Sequence, residues 1–333
     1  MARKPWKRWV LLAVVGAGVG GYVWIHQGLE PLKPGPSGFV RWNTPSRLGS
    51  IVAQLKVKGI IRNGDALRLY AFYKRVPSNV TSGTYEFHPG MTADEVLSEL
   101  QKPIRQMVRI PETNWAQRTA NLLEKKGVVV ASEYMALVKK PAEFKSSVSF
   151  PLPADSLEGY LYPDTYDFPP LLGAHGVIER QLQAFDKKIW KGLGEPKDLD
   201  RLITEASLVE LESGRDEDRP KIAGVIENRL QQKMRLQIDA SLLYGIQKWR
   251  RLTFADYKNI DSPYNLYKVD GLPPGPICSP SLKSIEAALK PAKHDSVFYV
   301  ALPTGETLFS KTYADHLKNI EKRKKAIADL QKP

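Results

Sequence analysis

The chain has a single cysteine, Cys278, and only five histidines among its 333 residues. One cysteine excludes an intramolecular disulfide and any metal site built from several cysteines. The histidines show neither an HExxH motif nor another paired spacing, which argues against a catalytic metal. No glycine-rich nucleotide motif of the GxGxxG or P-loop type opens a helix either. The sequence therefore predicts a protein that uses no metal and no cofactor.

Acidic residues are scarce relative to basic ones, with 36 against 49, and the formal net charge is +13. Such an excess suggests an anionic partner, which can be nucleic acid, an acidic membrane surface or an acidic polymer. The hydrophobic share of 42% is sufficient for real cores and excludes a disordered chain. The length allows two or three domains.

Charged residues are missing from one stretch near the N-terminus, residues 9–25, with the sequence WVLLAVVGAGVGGYVWI. Its length is at the lower edge of the range that spans a bilayer, and aromatic residues stand at both ends. We therefore expect a transmembrane anchor over 9–27 after a basic cytoplasmic tail, 1–8. A cleaved signal peptide is the alternative, but no small-x-small cleavage site follows. The basic tail predicts that the rest lies outside the cytoplasm, which excludes most nucleic-acid functions.

The remaining sequence predicts an α+β fold with three further parts after a Pro/Gly-rich linker, 28–38. Residues 39–112 repeat a strand–turn–helix pattern and predict a small α+β module, which is either a spacer or a polymer-binding domain. Residues 113–198 predict a connecting helical region. Residues 199–333 predict a mostly helical domain that contains a short β-hairpin at 296–309.

The run ASLVELESG, residues 206–214, ends a helical segment that is apolar on nearly all sides, which is typical of a buried helix. Glu210 and Glu212 fall on almost opposite sides of this helix. A glutamate in apolar surroundings has its neutral form favoured, as a general acid requires. The alternative is that these glutamates face solvent or form salt bridges with basic neighbours.

Two irregular segments are candidates for binding surfaces. The first, Glu158–Pro170 with the sequence EGYLYPDTYDFPP, is dense in aromatic residues. It offers stacking surfaces for a carbohydrate, or it is simply a packed loop. The second, Asp261–Pro280, is rich in turn formers, and long irregular segments inside a compact domain often line a site.

Six motifs in order resemble the endolytic murein transglycosylases, the MltG or YceG-like family. They are ASLVELESG, KIAGVIENRL, LQIDASLLYG, SPYNLY, GLPPGPI and the closing HDSVFYVAL with His316 behind it. The resemblance covers nearly the whole chain. It implies a protein anchored in the cytoplasmic membrane through lipid contacts of the N-terminal helix, with a LysM-like module and a catalytic domain that face the cell wall.

The resemblance also implies an activity. Family members cut nascent peptidoglycan strands internally and without water, leave 1,6-anhydro-N-acetylmuramic acid ends, and so end glycan elongation. Association with the peptidoglycan synthases is implied as well, and nucleic acid is not a partner. The family's catalytic glutamate is the second glutamate of an ExE motif, which places it at Glu212, with Glu210 as the first.

Further residues are expected near the substrate on the strength of this resemblance. Asp239 is either a stabiliser of the cationic transition state or a helix cap, since Ile238-Asp239-Ala240 departs from the family's TDP pattern. Arg229 either binds substrate or forms an ion pair with Glu210. Hydrogen bonds to N-acetyl or hydroxyl groups and aromatic groove walls are expected from Asn228, Gln237, Tyr244, Tyr264 and Asn265.

Two other functions remain open from the sequence. A water-using muramidase would need a second carboxylate, for which Asp239 is the candidate, at about 5–5.5 Å for retention or about 6.5–9.5 Å for inversion. A lytic transglycosylase needs only one acid, because the sugar's own 6-hydroxyl replaces water. A non-catalytic, membrane-anchored scaffold that binds the wall through its basic surface is the second alternative.

Overall fold

The computed structural model describes residues 6–330, with residues 6–8, 11 and 12 as helix backbone only. The fold is mixed α+β, mostly helical with short strands, as the sequence predicts. The chain divides into two compact units. The first comprises Met1–Met107 with Asp167–Leu172, and the second comprises Val108–Tyr166 with Gly173–Pro333.

The chain begins with helix α1, Trp6–Leu29, which covers the stretch predicted as a transmembrane anchor, 9–27. In the part of the chain that the structure describes, no helix is both long and apolar enough to cross a membrane, so the predicted anchor is not supported. Four glycines between Gly16 and Gly21 add little hydrophobic transfer free energy to this helix. The predicted cytoplasmic tail, 1–8, lies almost entirely outside the described residues.

The first unit continues after the linker with four strands and three helices. They are β1 (Gly38–Trp42), β2 (Ser46–Arg47), α2 (Leu48–Val57), α3 (Gly64–Tyr73), β3 (Asn79–Val80), β4 (Gly83–Phe87) and α4 (Ala93–Glu99). Strand β1 pairs antiparallel with β4, from Gly38 opposite Phe87 to Trp42 opposite Gly83. Strands β2 and β3 form a second antiparallel pair. The two helices α2 and α3 thus lie between the paired strands in sequence.

Side-chain caps set the starts of α3 and α4. The Asn63 side chain accepts hydrogen bonds from the backbone N–H groups of Asp65 and Ala66 at the start of α3. Thr92 and Glu95 form a reciprocal capping box at the start of α4. The sequence predicts helices around 47–58 and over 63–76, a strand over Thr84–Phe87, and helix starts at Asn63 or Asp65 and at Thr92 or Asp94. The helices and the strand are confirmed within a few residues, and Asn63 and Thr92 are the caps.

The second unit carries the remaining elements. They are β5 (Met107–Arg109), α5 (Ala116–Lys125), α6 (Ala131–Val138), β6 (Thr165–Asp167), α7 (Gly173–Phe185), α8 (Leu199–Glu212), α9 (Arg219–Gln231), α10 (Asp239–Gly245), α11 (Phe254–Asn259), α12 (Leu282–Leu289), β7 (Phe298–Ala301), β8 (Thr307–Ser310) and α13 (Tyr313–Leu330). The predicted hairpin is confirmed as antiparallel β7 and β8. Residues 113–166, predicted as part of a connecting region, lie within this unit; the division at 198 stays a prediction.

Helix α8 is the buried helix that the sequence predicts. Its residues from Leu202 to Glu210 are all buried, and it packs against α9 and α12. The irregular segment 261–280 is tied to it, because the Ser207 hydroxyl accepts a hydrogen bond from the Ile277 N–H at 3.0 Å. Gly159 has a φ of +84°, and a Cβ there would lie 2.5 Å from the Pro276 Cβ. Only glycine therefore lets the loop that starts at Glu158 approach this segment.

The sequence allows Asp216 or Asp218 to cap α9 and Asp239 to cap α10, and both predictions are wrong. Asp218 stands at the N-cap of α9, but its side chain makes no capping hydrogen bond, and residues Asp216–Asp218 form a 3₁₀ turn instead. Ile238 is the N-cap of α10, so Asp239 is the first helical residue, and its carboxylate accepts hydrogen bonds from tyrosine hydroxyls. The partners of the Asp239 carboxylate, Tyr257 and Tyr267, thus lie outside its own helix.

We expect Leu55→Ala to destabilise the first unit by about 2–5 kcal/mol, because Leu55 is fully buried in its core and truncation leaves a cavity. Val57 lies on the same helix and is 89% exposed, so Val57→Ala is the matched control. Native-state hydrogen exchange of amides in α2 and β4 measures the local unfolding free energy. Equal effects of the two substitutions would contradict the described packing.

Candidate active site

A cavity of about 500 Å³ opens beside the C-terminal end of α8. Its walls come from the ends of α8, α9 and α10, from the β7–β8 hairpin and from one face of α13. The lining residues are Glu212, Arg229, Leu236, Gln237, Asp239, Tyr267, Phe298, Tyr299, Val300, Tyr313, His316, Ile320 and Arg323. We call it the Glu212 cavity.

Glu212 is the last residue of α8, and Ser213 continues in an extended conformation. Its carboxyl group is half-buried, and the Tyr299 hydroxyl donates a 2.8 Å hydrogen bond to Oε2. Burial raises the pKa of Glu212, and the negative charge of Asp239 raises the pKa further. The Tyr299 hydrogen bond and the charge of Arg229 oppose this shift. The net result is a carboxyl group whose neutral form is favoured.

Asp239 contributes a second carboxylate to the same cavity. Its Oδ1 accepts a 2.6 Å hydrogen bond from the Tyr267 hydroxyl, and its Oδ2 faces the Tyr257 hydroxyl at 3.5 Å. The rings of Tyr257 and Tyr267 pack against each other with centroids 4.3 Å apart. Asp239 itself is exposed to solvent, and the two hydroxyls fix its orientation.

Arg229 is a buried cation that supports the cavity wall. Its Nε donates to the Val297 carbonyl at 2.7 Å, and its Nη1 donates to the Leu236 carbonyl at 2.6 Å. The guanidinium lies 5.5 Å from the Phe298 ring centroid. Arg229 thereby joins the segment before α10 to the start of β7. Gln237 also faces the cavity and has a φ of +52°, so its backbone is in the left-handed region.

Glu210 points away from this cavity and is buried in an ion pair. Its Oε2 accepts from the Ser281 hydroxyl at 2.6 Å and the Ser281 N–H at 2.9 Å, and lies 3.2 Å from Nη1 of Arg219. The predicted ion pair between Glu210 and Arg229 is therefore wrong, since Arg219 supplies the cation. Glu205 is likewise paired, with Arg201 at 2.8 Å. Salt bridging thus accounts for these two glutamates, while Glu212 has Tyr299 as its polar partner.

The two predicted asparagines bind backbone carbonyls. Asn228 donates through Nδ2 to the carbonyls of His294 and Ser296, at 2.7 and 3.0 Å. Asn265 is fully buried and donates to the carbonyls of Tyr257 and Ile260. Both amides hold loops in place, and neither residue lines the Glu212 cavity.

Tyr244 and Tyr264 line a different cavity, of about 360 Å³, together with Glu158. Their rings lie 4.8 Å apart, and the Tyr244 hydroxyl donates to Oε2 of Glu158 at 3.3 Å. Burial raises the pKa of Glu158 to about 7, although the Ala116 N–H donates to its carboxylate. The sequence marks the segment Glu158–Pro170 by its aromatic residues. It gives no sign that the carboxyl group of its first residue, Glu158, is buried.

Among the residues that line the Glu212 cavity, Tyr267, Tyr299 and His316 were not assigned to the site from the sequence. Tyr299 belongs to the motif HDSVFYVAL, but that motif carries no signal for contact with a helix 87 residues earlier. The positions 313, 316, 320 and 323 follow the i, i+3, i+7 spacing of one helix face. That spacing identifies a common face of α13 without indicating what the face covers.

The geometry can be compared with known proteins. The YceG-like family matches residues 42–322. A Bacillus subtilis protein named endolytic murein transglycosylase is 31% identical over 325 residues, which cover 91% of this chain and 90% of that protein. A Streptococcus pneumoniae protein of the same name is 31% identical over 349 residues, and the match covers 93% of this chain. The chain spans only 63% of the length of that relative.

A crystal structure of a YceG-like protein from Listeria monocytogenes has a similar fold. The TM-score is 0.58 and the identity is 30%, with 85% of this chain and 99% of the other chain covered.

We expect two substitutions to move the pKa of Glu212 in opposite directions. Tyr299→Phe removes a hydrogen bond to the charged form and should raise the pKa. Asp239→Asn removes a nearby negative charge and should lower it. A carboxyl ¹³C NMR titration of Glu212 measures both shifts. Asp261→Asn, which changes a fully exposed acid elsewhere, is the control. Shifts of the same sign would contradict the electrostatics described above.

Arg219→Ala should lower the free energy of unfolding by about 3–5 kcal/mol, because it leaves the buried carboxylate of Glu210 without its cation. Urea unfolding followed by circular dichroism measures the loss. The control is Arg215→Ala, which removes an exposed partner of Glu217 and should cost at most about 1 kcal/mol. An effect of Arg219→Ala as small as the control would mean that the ion pair is not a structural requirement.

Proposed function

Since the chain belongs to the YceG-like family, we propose that it is an endolytic peptidoglycan lytic transglycosylase with Glu212 as its single acid and base. The observation that carries the proposal is the half-buried Glu212 carboxyl group, which faces a cavity of about 500 Å³ and has a raised pKa. The relatives from Bacillus subtilis and Streptococcus pneumoniae, both named endolytic murein transglycosylase, support the same reaction.

In the first step, the protonated Glu212 donates its proton to the oxygen that joins N-acetylmuramic acid to N-acetylglucosamine. The glycosidic bond breaks, and positive charge develops on the anomeric carbon and ring oxygen of the muramic sugar. A carboxyl group with a raised pKa suits this role, because a larger fraction is protonated near neutral pH. The released N-acetylglucosamine carries the transferred proton on its new hydroxyl group.

In the second step, the Glu212 carboxylate takes the proton from the 6-hydroxyl of the same muramic sugar. That oxygen attacks the anomeric carbon and closes a 1,6-anhydro ring. The nucleophile belongs to the sugar itself, so its effective concentration is high without an ordered water. Glu212 ends the cycle protonated, and no water is consumed.

Asp239 and Tyr299 support this chemistry in different ways. The Asp239 carboxylate, held by Tyr267, places negative charge in the cavity where the sugar becomes cationic. Tyr299 orients the Glu212 carboxyl group and stabilises the carboxylate formed after the first step. Arg229 keeps the wall of the cavity in place through its bonds to backbone carbonyls.

A water-using muramidase is the second candidate, because Asp239 places another carboxylate in the same cavity. In that reaction Asp239 would act as nucleophile or activate water, and the cut ends would be ordinary reducing sugars. The names of the relatives favour the transglycosylase.

We extend the proposal to the first unit and to the biological setting. The order β1–α2–α3–β4, with β1 and β4 paired, is compatible with a LysM-like module over 39–112 that holds glycan strands. Cutting nascent strands would end their elongation and would bring the protein close to the peptidoglycan synthases. The positive net charge is consistent with attraction to the carboxylates of the wall peptides.

Mass spectrometry of products from uncrosslinked glycan strands tests the reaction. Wild type should yield ends that are lighter by one water than reducing ends, and Glu212→Gln should lower their rate of formation by about 10²–10⁴-fold. Glu217→Gln, a change of an exposed carboxylate five residues away, should leave the rate unchanged. Reducing ends would favour the muramidase, and full activity of Glu212→Gln would eliminate Glu212 as the acid.

A further inference from the structure

A second large cavity shares a wall with the Glu212 cavity. Its volume is about 640 Å³, within the range typical of ligand sites. Its lining residues are Asp239, Leu243, Arg250, Arg251, Leu252, Thr253, Phe254 and Tyr257. Asp239 lines both cavities. We call the second one the Phe254 cavity and propose that it binds the sugar units of the glycan strand on one side of the bond that is cut.

The continuity of the two cavities depends on Asp239 and its two tyrosine partners. Tyr267, which donates to Oδ1, lines the Glu212 cavity, while Tyr257, which faces Oδ2, lines the Phe254 cavity. Because the two rings also pack together, the junction between the cavities is a fixed structure. A chain that crosses Asp239 therefore passes from the proposed acid directly to the second cavity.

Phe254 provides an aromatic surface in this cavity and is 91% exposed. Its position is fixed, because it is the first residue of α11, whose start is held by a capping box between Thr253 and Asp256. Arg250 anchors Asp256 through two hydrogen bonds of 2.7 Å. A large apolar ring that stands at a capped helix start and is left uncovered in a cavity indicates a stacking partner for a ligand.

The chemistry of the cavity fits a carbohydrate. The apolar C–H face of a sugar ring can stack on Phe254, while the Arg251 guanidinium and the Tyr257 hydroxyl can bond to sugar hydroxyls. An enzyme that cuts a strand internally must accommodate sugars on both sides of the bond, and the Glu212 cavity alone has room for only part of that strand. This inference rests on the proposed function for its choice of ligand.

Strand binding to a Glu212→Gln background tests the inference without any chemistry. Fluorescently labelled, peptide-free glycan strands are titrated with Glu212→Gln alone and with Phe254→Ala or Phe254→Trp added. Phe254→Ala should weaken binding by about three- to tenfold, which is the usual contribution of one aromatic contact, and Phe254→Trp should preserve it. Leu330→Ala, at an exposed apolar residue that ends α13 and lines neither cavity, is the control and should have no effect.

Turnover by the otherwise wild-type chain gives the second readout. Phe254→Ala should reduce kcat/KM on long strands and leave kcat/KM on the shortest cleaved fragment unchanged, because that fragment does not reach the second cavity. Unchanged strand binding, or an equal loss on short and long substrates, would overturn the inference. If wild type produced no anhydro ends, the proposed function would fail, while the binding comparison would still decide whether Phe254 contacts glycan.

Discussion

The burial of α8 is the constraint on which the rest of the second unit depends. Nearly every residue of this helix from Leu202 to Glu210 is inside the protein, so α9, α12 and the segment 261–280 must all pack around it. A helix with so little polar surface tolerates a carboxylate only where a partner is supplied. Near its C-terminal end, the carboxylates of Glu210 and Glu212 have different partners. Glu210 holds the fold together, while Glu212 is available for the proposed reaction.

Glu210 and Glu212 are two residues apart and therefore face opposite ways. Glu210 meets a cation and the hydrogen-bond donors of Ser281, which together stabilise its charged form and attach α12 to α8. Glu212 meets one neutral hydroxyl and an open cavity; it has no ion pair among the described residues, although the charge of Arg229 favours its charged form. The same helix thus carries one carboxylate that is bound in an ion pair and one that faces an open cavity.

Local features of the fold could be predicted from the sequence, and contacts between distant segments could not. The sequence could predict the caps Asn63 and Thr92 and the apolar character of α8, because each depends on residues that are close together in the chain. The cation that pairs with Glu210 is Arg219 and not Arg229, and no periodicity distinguishes these two arginines of one helix. Asp239 was expected to cap a helix because its neighbours allow it, but tyrosines 18 and 28 residues later bind its carboxylate.

The opposing effects on Glu212 suit the role proposed for it, in which one residue both gives and takes a proton. Burial and Asp239 favour the neutral acid, which suits donation to the leaving oxygen. If these effects acted alone, they would disfavour the carboxylate that forms in the proposed first step. Tyr299 and Arg229 limit that cost by stabilising the charged form. The proposed mechanism, in which a single carboxyl group serves both steps, therefore relies on surroundings that fall between a hydrophobic pocket and an ion pair.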